Sequence, residues 1–202
     1  MKFDNNLPFD YTYLVNQLKD YAYPRDKITK LLKKGELIRV RKGLYIAPEN
    51  RNPHLGEILA GMIYGPSYIS LEYALAYYQM IPEQVKVITS VTSQKPKTYR
   101  TPVGEFRYQH IKSGLFALGL DYVTAGQSGF RIATREKALC DLVYLKNRNL
   151  SSDRMEEFLL DDLRLDREEL SRLDAAKVSA WQNSYKQPGV SALAEYLKGA
   201  AK

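Results

Sequence analysis

Arg25, Lys27, Lys30, Lys33, Lys34, Arg39, Arg41 and Lys42 crowd one short stretch of the chain. Only two acids, Asp26 and Glu36, lie among them. The local charge is +6, against +7 for the whole protein. Cations at this density suit a row of phosphates, where each neutralised phosphate releases condensed counterions. That chemistry is binding rather than bond making. Elsewhere the candidates for catalysis are scattered. A metal-dependent nuclease needs clustered carboxylates, and Glu83, Glu105, Asp121, Glu136 and Asp141 form no tight acidic motif. His54, His110 and Cys140 are far apart, with no zinc-ligand spacing. Cys140 sits among Ala138, Leu139, Leu142 and Val143 and reads as a small buried hydrophobe. The sequence therefore offers no catalytic, cofactor-binding or metal-binding residues.

The elements that must position these cations can be read from spacing. Tyr13, Leu14, Leu18 and Tyr21 recur at helical intervals and predict a helix over about 10–21. Pro24 opens a second helix, where its missing N–H costs little. Ile28, Leu31 and Leu32 form that helix's apolar stripe, with Lys27, Lys30 and Lys34 opposite and Arg25 and Lys33 on the flanks. Gly35 is the expected stop. Leu37 to Ile46 then alternates apolar and basic residues around Lys42-Gly43, the pattern of a hairpin. Two helices and a hairpin match the layout of a winged helix-turn-helix. The second helix would enter the major groove, and Arg39, Arg41 and Lys42 would belong to the wing.

The remainder is mixed. A helix is expected over 55–64, a short strand at Tyr68-Ile69, and a helix from Leu71 to about Met80 capped by Ser70. Val85 to Thr92 is rich in β-branched residues and predicts a strand. Hairpins are expected around 101–104 and 126–129. Thr134 should cap a helix running through Leu145. Glu136 and Lys137 open that helix, and Glu136 in its first turn suits the helix dipole, a structural role that outweighs a catalytic one. Asp153 with Glu156, and Asp166 with Glu169, read as capping boxes. Pro188-Gly189 should break the run before a short last helix over 191–198. Tyr64, Tyr68, Tyr73, Tyr77 and Tyr78 suit either core packing or a partner surface, more readily the first. Lys95, Lys97, Arg100 and Arg107 make a looser second basic patch, which would extend a DNA footprint, meet an acidic partner, or do neither.

The chain has 202 residues and a pI near 9.3. The basic excess sits at the front: residues 1–50 hold ten Lys/Arg against six acids, and residues 151–202 hold eight against ten. Asn50-Arg51-Asn52-Pro53 reads as a linker. The fold class expected is α+β: a winged helix at 1–50, a mixed α/β domain at 53–150, and a helical segment at 151–202 packed on it. The opening residues lack a signal peptide's apolar run, no stretch is long enough to span a membrane, and Cys140 is alone. A cytoplasmic protein is the expectation.

Three stretches resemble the AbiEi-type antitoxins of bacterial type IV toxin–antitoxin systems. The first is Lys30 to Tyr45. The second is Tyr68-Ile69-Ser70-Leu71-Glu72-Tyr73-Ala74-Leu75 followed by Ile81-Pro82-Glu83. The third is Ile132 to Leu142. The resemblance spans roughly 10–145. It implies an N-terminal winged helix that represses its own operon by binding operator repeats in double-stranded DNA. It also implies a C-terminal domain that counters a nucleotidyltransferase-like toxin. The chain departs from the family in its Tyr-rich first helices and in the tail after about 150, which matches no family motif. Two other readings remain. One is a metal-dependent nuclease with a winged-helix arm, set apart by divalent-metal-dependent DNA cleavage. The other is a protein-interaction adaptor, set apart by DNA affinity at low salt.

Overall fold

The computed structural model describes residues 6–200. The first unit comprises β1 (Phe9–Asp10), α1 (Tyr11–Gln17), α2 (Pro24–Lys33), β2 (Ile38–Arg41) and β3 (Leu44–Ile46). Asp10 caps α1 by accepting from the Tyr13 N–H at 2.7 Å. Pro24 is the first residue of α2. Gly35, at φ +69°, ends it: the Gly35 N–H donates to the Leu32 carbonyl and the Glu36 N–H to the Leu31 carbonyl. This left-handed cap satisfies carbonyls that the last turn leaves open. Leu14, Leu18, Ile28, Leu31, Leu37, Tyr45 and Phe9 form a small core beneath these elements. The strands order β1-β3-β2, all antiparallel.

The second unit is built on a six-stranded mixed sheet, ordered β6-β7-β5-β4-β9-β8. Its strands are β4 (Ser67–Ile69), β5 (Ile88–Thr92), β6 (Lys97–Thr101), β7 (Gly104–His110), β8 (Leu120–Ala125) and β9 (Ser128–Ala133). The β5–β7 and β4–β9 pairs are parallel and the other three antiparallel. α3 (Leu55–Ile63) lies on one side, where the Tyr108 hydroxyl reaches the Ala60 carbonyl at 2.7 Å. α4 (Leu71–Tyr77) and α6 (Arg135–Lys146) pack together on the other, with the short α5 (Ser113–Phe116) nearby. The tail comprises α7 (Ser152–Glu157), a π-turn at Phe158–Asp162, α8 (Arg167–Ser171), α9 (Ala175–Tyr185) and α10 (Pro188–Ala200). Its Met155, Leu159, Val178, Leu193 and Leu197 join the same large core. The fold is α+β with a mixed sheet.

Several expectations are corrected. Ser70 stands at the N-cap of α4, but its hydroxyl makes no capping bond and donates to Asp141 instead. Ser151, not Asp153, precedes α7. Pro188-Gly189 begins α10 rather than breaking a run, and the reversal falls at Lys186, whose φ is +48°. Gly189 is needed there because a Cβ would lie 2.5 Å from the Asn147 carbonyl. The hairpin serves two apolar clusters. Leu37 and Tyr45 belong to the small core, while Val40, Leu44 and Ile46 belong to the large one.

Candidate nucleic-acid interface

Helix α2 and the β2–β3 hairpin carry the eight cations, and the fold sorts them. Arg25, Lys30 and Lys33 are exposed on α2. Arg25 donates its Nε–H to the Tyr11 hydroxyl at 3.0 Å. Lys27 is half-buried, with its Nζ 4.8 Å from the centre of the Tyr21 ring. At about 100° per residue, Arg25 and Lys27 leave the helix on nearly opposite sides. Lys34 lies 3.8 Å from Glu36, a solvent-exposed pair of small energetic weight.

On the hairpin, Arg39 is exposed and sits opposite Tyr45 in register. Lys42 is exposed at the tip beside Gly43, whose φ of +83° makes the turn. The register shifts between Arg39 and Arg41, a β-bulge. Such an extra residue re-aims the side chains beyond it. Arg41 donates from Nη1 to the Ile63 carbonyl at the end of α3. One residue therefore ties the hairpin to the second unit. Arg41, expected among the wing's phosphate contacts, is exposed, and one of its guanidinium N–H groups is taken by this carbonyl.

Tyr11 gathers the rest. Its N–H donates to the Gly43 carbonyl at 3.2 Å, and its hydroxyl accepts from Arg25. The hairpin tip with Lys42 and the first turn of α2 with Arg25 thus meet on one tyrosine. Sequence reading placed Arg25 on a flank and gave Tyr11 no role. The only sequence signal was that both residues open their helices.

The second basic patch divides. Lys97 and Tyr99 share the face of β6 that looks toward α3. The Lys97 Nζ stands 5.0 Å from the Tyr99 ring and 5.8 Å from the Tyr64 ring. Tyr64 follows Ile63, so this group adjoins the Arg41 anchor. Arg100 and Arg107 occupy the other face, both paired with Glu105, at 3.2 and 3.0 Å. Those two arginines hold the Glu105 carboxyl below the usual carboxylate range.

A different kind of constellation is buried in the second unit. Lys137 and Asp141 are fully buried, with Nζ 2.7 Å from Oδ1. The Lys137 Nζ also donates to the Leu115 carbonyl at 2.9 Å and the Tyr185 hydroxyl at 2.8 Å. Asp141 Oδ2 accepts from Tyr68 at 2.8 Å and Ser70 at 2.9 Å, and Oδ1 accepts from Tyr185 at 2.8 Å. Burial, reinforced by the Asp141 charge, pushes the Tyr68 and Tyr185 phenols far up, so both stay neutral donors. Burial also raises the Cys140 thiol, which leaves it protonated and inert. Nearby, Glu136 accepts from the Asp174 N–H at 3.1 Å and helps seat α9. The network satisfies itself internally and holds α5, α6, α9 and β4 together. The sequence signal for it was the Lys137–Asp141 spacing of one helical turn.

No protein-family model matches the chain, and no curated protein matches it.

Proposed function

We propose that this chain is a DNA-binding transcriptional repressor and the antitoxin of a type IV toxin–antitoxin operon. In this reading the first unit is a winged helix-turn-helix. Helix α2 enters the major groove of double-stranded operator repeats, and the β2–β3 hairpin is the wing. The observation that carries the reading is the convergence on Tyr11 of two cationic elements, the start of α2 and the hairpin tip. A charged face kept only for solubility needs no such registration between a helix and a turn. Arg25, Lys30, Lys33, Lys34, Arg39, Arg41 and Lys42 are exposed cations offered to phosphates and base edges. Lys97, on the hairpin's side of the sheet, extends this basic surface.

The antitoxin half rests on the resemblance, with one geometric support. Tyr68 and Ser70 of the second motif donate to Asp141 of the third. Stretches far apart in sequence therefore form one unit, as functional motifs of a single domain would. The partner is a nucleotidyltransferase-like toxin, countered functionally. No helix among the described residues is long and apolar enough to cross a membrane.

A reporter gene fused to the operon's own upstream region tests the proposal. Co-expressed wild-type chain should repress it. A Lys30→Ala, Lys33→Ala, Lys42→Ala triple variant should relieve repression at equal protein level. Undiminished repression by the triple variant contradicts the interface.

A further inference from the structure

We propose that Arg25 reads a guanine base edge and that Tyr11 is its positioning residue, an assignment that rests on the DNA-binding reading above. Tyr11 is the first residue of α1 and Arg25 the second of α2. The Arg25 Nε–H donates to the Tyr11 hydroxyl at 3.0 Å. That bond uses the N–H nearest the aliphatic stem. The Nη groups at the tip make no ion pair among the described residues, although Asp26 is the next residue. The guanidinium borders an open groove between the two helices, walled by Tyr11, Val15, Ala22 and Tyr23.

Tyr11 is itself fixed. Its N–H is held by the Gly43 carbonyl, and its half-buried ring packs against the small core. Its phenolic oxygen accepts from Arg25, and its own O–H proton is given no acceptor among the described residues. One hydroxyl can therefore hold the arginine and donate outward at the same time.

Docked DNA supplies what each free group lacks. In a helix-turn-helix the first helix crosses the sugar–phosphate backbone, and the start of the second reaches base edges. The Tyr11 O–H then donates to a phosphate oxygen, and the Arg25 fork donates to O6 and N7 of a guanine. A lysine has the charge but not the planar fork. Holding the fork in advance lowers the ordering cost of the contact. Among the other cations of the segment, Lys30 and Lys33 are flexible point charges, Arg41 has one Nη bound to the Ile63 carbonyl, and Arg39 is exposed on the hairpin rather than on α2.

The test is selection from a pool of duplexes with a randomised core, using the full chain. The wild-type protein should enrich a motif containing at least one guanine. Arg25→Ala should lower the preference for that guanine by about tenfold or more while leaving the rest of the motif. Arg25→Lys should behave like Arg25→Ala, since it keeps the charge and loses the fork. Tyr11→Phe keeps the ring and should weaken the same guanine preference several-fold. Thermal melting of each variant in parallel should match wild type. Arg25→Ala or Arg25→Lys enriching the same guanine as wild type overturns the base-reading role. Tyr11→Phe with an unchanged preference overturns the positioning role. A wild-type chain that enriches no motif overturns the DNA-binding reading, and this assignment with it.

Discussion

The Nζ of Lys137 lies 2.7 Å from Oδ1 of Asp141, one helical turn further on, and neither side chain reaches solvent. Each charge is matched by the other and by neutral donors and acceptors from three further elements. A pair of this kind is costly to break from one side, because the survivor is left charged and unpaired. Lys137→Met should therefore destabilise the chain by about 3–5 kcal/mol. Lys137→Met combined with Asp141→Leu should cost less than the sum of the two single changes. Urea unfolding of the three variants measures this. Strict additivity would mean that the two residues do not act as a unit.

Alkaline pH should attack the same region. Burial first, and then neighbouring carboxylates, raise Tyr68, Tyr73 and Tyr185, and Tyr78 is pushed up to about 12. A folded-state pKa above the unfolded value near 10 gives stability that is complete below pH ~10 and lost as pH rises further. Stability should thus be flat through neutrality and fall from about pH 10 upward. Phenolate absorbance should show part of the 16 tyrosines ionising only as the chain unfolds. Smooth titration of every tyrosine in the folded protein would contradict this.

Arg41 and Lys42 are neighbours in sequence and should behave differently. Arg41→Ala removes the bond to the Ile63 carbonyl and should cost stability by about 1–3 kcal/mol. Lys42→Ala, exposed at the tip, should leave stability within about 0.5 kcal/mol and weaken DNA binding. Paired denaturation and binding curves separate the two. Equal stability losses would remove the anchor role from Arg41.

A chain starting at Pro53 tests how independent the second unit is. Sequence charge suggested a clean division at 50–53. The hairpin, however, buries Val40, Leu44 and Ile46 in the larger core, each worth about 1.5–3 kcal/mol when fully buried. The truncated chain should melt well below the full one, whereas a chain starting at Glu36 should recover much of the loss. Identical melting of the full chain and the Pro53 chain would show that the hairpin is dispensable to the second unit.

What was legible in the sequence was whatever local chemistry decides. Pro24 and Gly35 bracket α2 because one lacks an N–H and the other tolerates positive φ. Lys42-Gly43 marks the hairpin turn, and Thr134 caps α6. What escaped was set by distant partners. Two residues at β1 pair with β3, too short a run to show a period. The Ser70 hydroxyl abandons its own helix for Asp141, a stronger acceptor 71 positions away. Arg41 reads as one more wing cation, with no local sign that one of its N–H groups reaches the Ile63 carbonyl. Lys137 belonged to a motif but gave no sign that Tyr185 of the tail would complete its shell. Of the candidate interface, the charge was plain and its organisation around Tyr11 was not.

The most direct test of the central claim is a salt titration of binding, by fluorescence anisotropy, between the full chain and a labelled duplex from the operon's upstream region. If the first unit neutralises five or six phosphates, log affinity should fall with log salt at a slope of about −5. Binding that ignores salt, or no binding at about 50 mM salt, the low end of the range over which such contacts weaken, would contradict it.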